Sequence, residues 1–211
     1  MRWLTSLALL ALAGPALAGG TPGKFRFTKG DLGKVPAGWK ADQTGKGVGS
    51  VWKVVADDTA PSKTGLVLAQ TAASPSAVFN LCVATGTSYK DVEVRVAFCG
   101  KNDQGGGIVW RYQDADNYYL ARMNPLEDNF RVYKVVAGKR TQLETKEGLK
   151  VPAGEWHTLK IQNKGNEIAC FLDGQKYLEV KDDTFPKAGK VGLWTKSDAQ
   201  TRFDDLKISG D

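Results

Sequence analysis

Aromatic and arginine side chains are concentrated in one stretch of the chain, at positions 105–136. Short apolar runs in this stretch are separated by turns at 113–117 and 124–129, each rich in Asp, Asn or Pro. Flat aromatic rings can stack on the apolar C–H face of a sugar, and arginine offers a rigid fork of donors to hydroxyl or carboxylate groups. The residues that we predict to bind a ligand are Trp110, Tyr112, Tyr118, Arg122, Arg131 and Tyr133.

The apolar pattern of the same stretch predicts three antiparallel strands with a defined register. A five-residue first turn places Trp110 opposite Leu120. The second hairpin places Met123 opposite Phe130. Because opposed residues share a face, the candidate ligand residues form one face and the other face joins the core. The predicted core face comprises Val109, Ala121, Met123, Phe130 and Val132. An ordinary exposed sheet face, stabilised by aromatic–arginine pairs, is the alternative.

Acidic residues of this stretch are weaker candidates for chemistry. Glycosidases need two carboxylates about 5–9.5 Å apart. Glu127 and Asp128 are the candidates for catalysis, while Asp114, Asp116 and Asn117 could bind Ca²⁺ through oxygen ligands. All five lie in predicted turns, where local hydrogen bonding commonly accounts for such residues. The sequence therefore predicts no certain cofactor and at most a calcium ion.

Other catalytic patterns lack essential residues. His157 is the one histidine of the chain, and it sits in a predicted strand without a Ser or Cys nucleophile pattern. A structural role for this histidine is therefore favoured over a catalytic one. The glycine-rich turn at 101–107 belongs to no strand–helix unit, which argues against a phosphate-binding loop, and no nicotinamide or flavin fingerprint occurs.

The remaining chain predicts an all-β fold. Short apolar runs recur at regular spacing, and no stretch of about ten residues has helical periodicity. Strands are predicted at residues 25–28, 51–55, 65–70, 77–83, 91–98, 140–145, 155–162, 167–172, 176–180, 190–195 and 202–208. Residues 29–50 are predicted to form a long loop. About a dozen short strands in one chain indicate a two-sheet antiparallel sandwich.

The first 18 residues have the layout of a secretory signal peptide. Arg2 precedes the apolar run from Leu4 to Leu12, and Ala16-Leu17-Ala18 provides a small-residue cleavage site. The alternative, a membrane anchor, is disfavoured because the run is too short to span a bilayer. We therefore predict a secreted or periplasmic protein without membrane insertion after cleavage, with a tail at 19–24 and one domain at 25–209.

The net charge of the 211-residue chain is +6, and its lysines are scattered among acidic residues. No Lys/Arg block of the kind that binds nucleic acid occurs, although a modest attraction to acidic glycans stays open. The three cysteines, Cys82, Cys99 and Cys170, match no metal motif. A Cys82–Cys99 disulfide is disfavoured by the predicted hairpin, whereas a Cys99–Cys170 disulfide stays open.

Four motifs resemble a known superfamily. They are GEWHTLKI at 154–161, FLDG at 171–174, GKVGLW at 189–194 and FDDL at 203–206. With the hairpin around Trp110, they resemble concanavalin A-like jelly rolls, most closely the laminin-G-like and DUF1080 (3-keto-disaccharide hydrolase) groups. The resemblance covers residues 25–208 and assigns core positions to Trp156, Leu159, Ile161, Leu172 and Leu193.

The resemblance implies several activities, because this fold carries lectins, carbohydrate-binding modules and hydrolases. In the resembling folds glycans usually bind the concave sheet, and laminin-G-like domains often bind Ca²⁺. The Glu-x-Asp-x-Glu triple of the laminarinase-like branch is missing from this sequence. The sequence therefore favours a non-catalytic carbohydrate-recognition domain. The alternatives are a hydrolase that acts on 3-keto-glycosides and a cell-surface domain that binds protein through the same face.

Overall fold

The computed structural model describes residues 23–73, 78–100 and 105–211. The predicted signal peptide at 1–18, and most of the predicted tail at 19–24, lie outside these residues. The fifteen strands of the described chain are β1 (Gly23–Lys24), β2 (Trp39–Thr44), β3 (Trp52–Ala56), β4 (Leu66–Gln70), β5 (Phe79–Tyr89), β6 (Val92–Gly100), β7 (Gly106–Asp114), β8 (Asn117–Asn124), β9 (Asn129–Val136), β10 (Lys139–Glu147), β11 (His157–Lys164), β12 (Glu167–Leu172), β13 (Gln175–Lys181), β14 (Gly189–Lys196) and β15 (Thr201–Gly210).

The strands form two sheets. In the first sheet the order is β13-β12-β11-β6-β15-β4-β3, and β1 pairs with β15 beside this path. In the second sheet the order is β10-β9-β8-β7-β14-β5-β2. Two short 3-10 turns, at Lys29–Asp31 and Pro125–Glu127, interrupt the connections. None of the described residues forms a helix that is long and apolar enough to cross a membrane. The prediction of an all-β, two-sheet jelly roll is confirmed.

The main core lies between the sheets and follows the alternation of apolar residues along the strands. In β6, the inward side chains of Val92, Val94, Val96 and Phe98 are all buried. In the neighbouring strand β11 of the same sheet, the buried Leu159 lies opposite Val96 and points to the same side. The predicted core position of Trp156 is wrong. This side chain is half-buried at the surface, where its Nε1–H donates to Thr59 Oγ1 at 2.9 Å. The guanidinium carbon of Arg202 lies 5.6 Å from the centroid of its ring.

Two predicted elements differ from the structure near the N-terminal end of the described chain. Residues 25–28 are not a strand, although the Phe25 N–H donates to the Leu206 carbonyl at 3.3 Å. The predicted loop at 29–50 contains β2, which pairs with β5 at the edge of the second sheet. An edge strand with mostly half-exposed residues lacks the strict apolar alternation by which strands are recognised.

All three cysteines are free and buried, so the Cys99–Cys170 disulfide that the sequence left open is not formed. Burial raises the pKa of the Cys82 and Cys170 thiols far above their ordinary value, because the apolar core disfavours a thiolate. The Cys99 sulfur lies 2.9 Å from Arg202 Nη2. Burial raises the pKa of the Cys99 thiol as well, although Arg202 opposes the shift, so none of the three is activated as a nucleophile by its surroundings.

Candidate functional site

The register of the two hairpins decides which side chains share a face. The second hairpin is confirmed, with Met123 opposite Phe130 and Ala121 opposite Val132. The first hairpin is wrong by one residue. Trp110 lies opposite Tyr119 instead of Leu120. In consequence Val109, which we predicted to join the core face, lies on the opposite face of the sheet.

A bulge at Arg111 explains why the sequence-based register fails. Arg111 has φ +46°, and the pairing shifts between Trp110, which lies opposite Tyr119, and Asp114, which lies opposite Asn117. The bulged residue reverses the alternation of faces along β7. Trp110 therefore points into the main core, whereas Tyr112 points to the outer face of the second sheet.

Trp110 is a core residue, and its predicted place on a ligand-facing surface is wrong. The side chain is fully buried and stacks on Tyr119 with ring centroids 5.5 Å apart. Its indole N–H donates to Asn163 Oδ1 at 2.9 Å, which satisfies the one polar atom of the ring. The wide aromatic side chain therefore links the inner faces of the two sheets.

The outer face of the second sheet is strongly concave. In a flat sheet, β10 and β5 would lie roughly 24 Å apart, because neighbouring strands are about 4.8 Å apart. Yet the guanidinium of Arg140 on β10 lies 4.7 Å from the ring centroid of Phe79 on β5. Similarly, Thr44 Oγ1 on β2 lies 2.8 Å from the hydroxyl of Tyr118 on β8. The curl brings distant strands together around one groove.

At one end of the groove the opposite walls are joined by hydrogen bonds. The Tyr112 hydroxyl donates to Asp42 Oδ2 at 2.9 Å, and the Thr44 hydroxyl contacts Tyr118. Burial, followed by the Asp42 carboxylate, raises the pKa of Tyr112, so its hydroxyl stays protonated. These two predicted ligand-binding tyrosines lie on the predicted face, but their hydroxyls are engaged within the protein.

At the other end lies a charged network built on β8, β9 and the turn between them. Arg122 Nη2 donates to Glu127 Oε2 at 2.9 Å and to the Tyr133 hydroxyl at 3.2 Å. Arg131 Nη1 lies 3.4 Å from the same Glu127 oxygen, and its Nη2 donates to Glu147 Oε1 at 2.9 Å. Arg122 and Arg131 lie directly opposite one another on neighbouring strands, which explains how they share one carboxylate.

Glu127 is held in the ionised form. Burial by itself would raise its pKa, but the hydrogen bonds from Arg122 and Asn129 and the charges of Arg122 and Lys196 lower the pKa to about 2. A carboxylate with so low a pKa stays ionised near neutral pH, so it can accept hydrogen bonds but is a weak base and cannot act as a general acid. The second predicted acid, Asp128, has φ +49° and ends the 3-10 turn. Its backbone carbonyl accepts a hydrogen bond from Leu149 N at 2.8 Å.

The residues predicted to bind Ca²⁺ form the turn between β7 and β8. Asp114 Oδ1 accepts hydrogen bonds from the backbone N–H of Asp116 at 2.9 Å and from Asn117 Nδ2 at 2.8 Å. Asn117 Oδ1 in turn accepts from Ala137 N at 3.1 Å. Nowhere in the described ranges do three or more His, Cys, Asp or Glu side chains converge as a metal site would require. The turn itself accounts for these side chains, and Ca²⁺ binding stays a prediction.

Arg140 is the residue at this site that the sequence analysis missed. Its guanidinium lies 4.6 Å from the Tyr133 ring centroid and 5.9 Å from that of Trp194, in addition to its contact with Phe79. Its Nη1 atom is buried, and within the described chain this atom has no hydrogen-bond partner. Burial, with a further contribution from the Arg122 charge, lowers the pKa of Arg140.

The sequence contained a signal for Arg140 and for Trp194, the aromatic residue beside it that was also not predicted at this face. Ala137-Gly138 is a two-residue hairpin turn, and the hairpin that it closes sets Arg140 opposite Val135, on the face of Tyr133. Trp194 follows the inward-facing Leu193 on β14, so alternation alone places it on the outer face. Continuing the alternation beyond the aromatic stretch would have identified both.

We call Arg122, Glu127, Arg131, Tyr133 and Arg140 the arginine site. Its aromatic rings do not lie open as a flat platform, because Tyr133 is 4% exposed and Trp194 is 1% exposed. The polar rim is more accessible, with the side chains of Arg131 and Glu127 exposed by 25% and 36%. A ligand would therefore first meet charged and hydrogen-bonding groups.

His157 lies away from this face, in the first sheet. Its Nδ1 is 2.8 Å from Asp173 Oδ2, and the other oxygen of Asp173 accepts from the Thr158 N–H at 2.7 Å. Asp173 thus links the hairpin turn to the strand that carries the histidine. This arrangement is that of a structural histidine.

The comparisons with known proteins point to one family and one fold. A family model described as a 3-keto-alpha-glucoside-1,2-lyase-like domain matches residues 31–209. The comparison with curated proteins gives no match.

Among solved structures, the carbohydrate-binding module CBM66 from Bacillus subtilis is similar, with a TM-score of 0.66 and 20% identity over 82% of this chain and 96% of that chain. A putative glycosyl hydrolase from Parabacteroides distasonis has a TM-score of 0.51 and 15% identity over 82% of this chain and 88% of that chain. The exoplasmic/lumenal domain of VIP36, in a Ca²⁺/Man3GlcNAc-bound form, has a TM-score of 0.55 and 11% identity over 81% and 83% of the two chains. At these identities the similarity shows a shared fold.

Proposed function

The chain belongs to the family of 3-keto-alpha-glucoside-1,2-lyase-like domains, which confirms its resemblance to the DUF1080 (3-keto-disaccharide hydrolase) group, and we propose that it recognises a saccharide at the arginine site. The single observation that carries this proposal is the position of Arg140. Its guanidinium is packed among three aromatic rings, and no described residue accepts a hydrogen bond from its buried Nη1. A buried donor without an acceptor is costly unless a ligand completes it.

The chemistry of the arginine site suits a hydroxyl-rich ligand. Arg131 and Arg140 supply donors in fixed directions, and the ionised Glu127 supplies acceptor oxygens. Vicinal hydroxyl groups of a sugar both donate and accept hydrogen bonds, so one ring could engage both kinds of group. One similar solved structure is named as a carbohydrate-binding module and another is a glycan-bound domain; both share this fold and support the proposal by analogy alone.

The test is binding of immobilised glycans by the purified protein. Arg131→Gln removes a donor at the accessible rim and is expected to weaken glycan binding about tenfold, the loss of one charge-assisted hydrogen bond. Arg95→Gln is the matched control, because Arg95 is 40% exposed and pairs with Asp205 on the other sheet. Equal loss with both variants, or no retained glycan with the wild-type protein, would rule out recognition at this site.

A second candidate function, cleavage of a 3-keto-α-glucoside, is favoured by the family membership. In a 1,2-elimination, the proton on C2 is acidified by the neighbouring C3 carbonyl and leaves to a base. The freed electron pair forms the C1–C2 double bond, and the aglycone departs with its oxygen and takes up a proton. Arg131 and Arg140 could stabilise the negative charge that develops on the C3 oxygen.

The weak point of the enzymatic candidate is the base. Glu127 has a pKa of about 2 and forms ion pairs with Arg122 and Arg131, so it is a weak base for removing a carbon-bound proton. Recognition is therefore the function that the geometry supports better. Turnover of a 3-keto-α-glucoside by the wild-type protein would establish the enzymatic function. Turnover that survives Glu127→Gln would then show that another base acts, and turnover lost in this variant would assign Glu127 a role in the reaction.

Export is part of the same proposal. The charged start, the apolar run and the Ala16-Leu17-Ala18 site support cleavage after residue 18 and release to the periplasm or the medium. Expression of the full chain in a bacterial host, followed by N-terminal sequencing of the protein from the periplasmic fraction, tests it. A mature protein that still begins at Met1 and stays in the cytoplasm would contradict export.

A further inference from the structure

The arginine site has an excess of positive charge. Arg122, Arg131 and Arg140 are the three guanidinium groups, and they are set against two carboxylates, Glu127 and Glu147. Glu127 is shared by Arg122 and Arg131, and Glu147 is bound by Arg131. Both acids are therefore engaged by other arginines.

Arg140 and Arg122 approach the same ring. The Arg140 guanidinium carbon lies 4.6 Å from the Tyr133 centroid and the Arg122 carbon 5.7 Å from it. An aromatic ring attracts a cation through its negative face, but it offers no in-plane acceptor for the N–H groups. Two like charges at a poorly hydrated site also repel one another, which raises the cost of leaving the site without an anion.

A neutral sugar would satisfy donors but would not balance this charge. We propose that the saccharide recognised at the arginine site is anionic and carries a carboxylate, as a uronic acid residue does, which pairs with the Arg140 guanidinium. This inference rests on the proposed function and specifies its ligand. A carboxylate is favoured over other anionic groups because it is planar and matches the two-pronged fork of a guanidinium.

The experiment compares two ligands that differ in charge alone. Binding of an oligogalacturonate and of its methyl-esterified form is measured by isothermal titration calorimetry at low ionic strength. We expect the acid to bind about tenfold more tightly than the ester, and the difference to shrink as salt is added, because a bidentate charged pair replaces a neutral contact.

Variants of one strand locate the effect. Arg140→Gln is expected to abolish the preference for the acid. Arg140→Lys keeps the charge without the fork and is expected to retain part of the preference, which covers the case in which the glutamine variant does not fold. Lys139→Gln removes the same charge from the adjacent, exposed position and is expected to keep the full preference.

The outcomes separate the two proposals. Equal affinity for the acid and the ester would overturn the anionic specificity and leave saccharide recognition standing. Binding of a sulfated oligosaccharide without binding of the oligogalacturonate would overturn the proposal that the anionic group of the ligand is a carboxylate. If no saccharide of either kind binds, the proposed function fails together with this inference.

Discussion

Two arginines of this molecule, Arg111 and Arg140, differ in how their guanidinium groups are hydrogen-bonded. Arg111 is 2% exposed and donates to three backbone carbonyls, those of Lys90, Phe185 and Gly165, at 2.9, 2.7 and 2.6 Å. Arg140 lies among aromatic rings, and its Nη1 finds no acceptor in the described chain.

The difference shows how one residue type serves two purposes. Arg111 donates to the carbonyls of three separate connections, so its hydrogen-bonding groups serve to hold those loops together. Burial lowers the pKa of Arg111, and the nearby Asp91 and Tyr119 favour its charged form. Arg140 has a buried donor without an acceptor beside the groove, which is the arrangement expected of a group that completes its hydrogen bonding with a ligand.

The largest expected effect is the loss of stability on replacing Arg111, the structural member of the pair. Arg111→Met removes the donor from three carbonyls, of which that of Phe185 is buried, and takes away a buried charge that holds three connections together; it should lower the free energy of unfolding by about 4 kcal/mol. Urea denaturation of the purified domain measures this loss. Arg95→Met, on the exposed face of the other sheet, is the control and should change stability by less than about 1 kcal/mol. Similar stability of the two variants would contradict the role assigned to Arg111.

Acid should destabilise the protein through a second structural contact between the sheets. Asp182 accepts hydrogen bonds from Lys134 Nζ at 2.8 Å and from the Tyr119 hydroxyl at 2.6 Å. Although burial opposes it, these bonds, together with those from Thr184, lower its pKa from 3.8 to about 2. The stabilisation is present above pH 3.8 and is lost as pH falls through 2.

The expected loss from Asp182 is about 2 kcal/mol of unfolding free energy, by proton linkage. Denaturation at pH 5 and at pH 2 measures it in the wild type, and Asp182→Asn should remove that part of the pH dependence. Glu127 has a similarly lowered pKa, but its side chain is 36% exposed, so Glu127→Gln should change the acid sensitivity less. If Asp182→Asn and Glu127→Gln changed the acid sensitivity of stability equally, Asp182 would be no more important to the fold than the acid at the arginine site.

Trp110 and Trp194 extend the comparison to the two faces of one sheet. Trp110→Phe leaves Asn163 Oδ1 without its buried donor and should cost about 1–2 kcal/mol of stability, with no change in glycan affinity. Trp194→Phe removes part of a ring beside Arg140 and should change affinity more than stability. Thermal denaturation and glycan binding, measured on both variants, test these two expectations. If Trp110→Phe weakened binding and Trp194→Phe did not, the ligand would lie on the side of Trp110 and not on that of Trp194.

The smallest expected effect on stability is that of Arg140 itself. Arg140→Gln removes cation–π contacts worth about 1 kcal/mol and creates no unsatisfied carbonyl. Its melting temperature should therefore stay within a few degrees of the wild type. A loss as large as that of Arg111→Met would show that Arg140 is structural.

Much of the fold is predictable from the sequence because burial follows alternation in most strands. Val92, Val94, Val96 and Phe98 alternate strictly, and the structure buries each of them. The second hairpin around Met123 is predictable for the same reason. The edge strand β2 is not, since half-exposed edge strands have no fixed apolar period.

The candidate site is only partly predictable. Arg122, Arg131 and Tyr133 lie at the arginine site as the pattern indicates, because the register of β8 and β9 is regular. Trp110 is misplaced, since no local signal distinguishes a bulge at Arg111 from an ordinary strand residue. The contact of Arg140 with Phe79 depends on the curl of the whole sheet, which is a property of packing and not of any one segment.

The bulge at Arg111 also affects how this chain should be aligned with its relatives. In a relative without the extra residue, the residue directly after the Trp110 equivalent already faces outward, so a sequence alignment without a gap would match Tyr112 with the inward-facing residue that follows it. An alignment without a gap there would equate residues that point to opposite sides of the sheet. Substitution patterns along β7 should therefore be compared separately before and after residue 111. A variant lacking this residue should keep Trp110 inside and Tyr112 outside, because adjacent residues of a regular strand point to opposite faces.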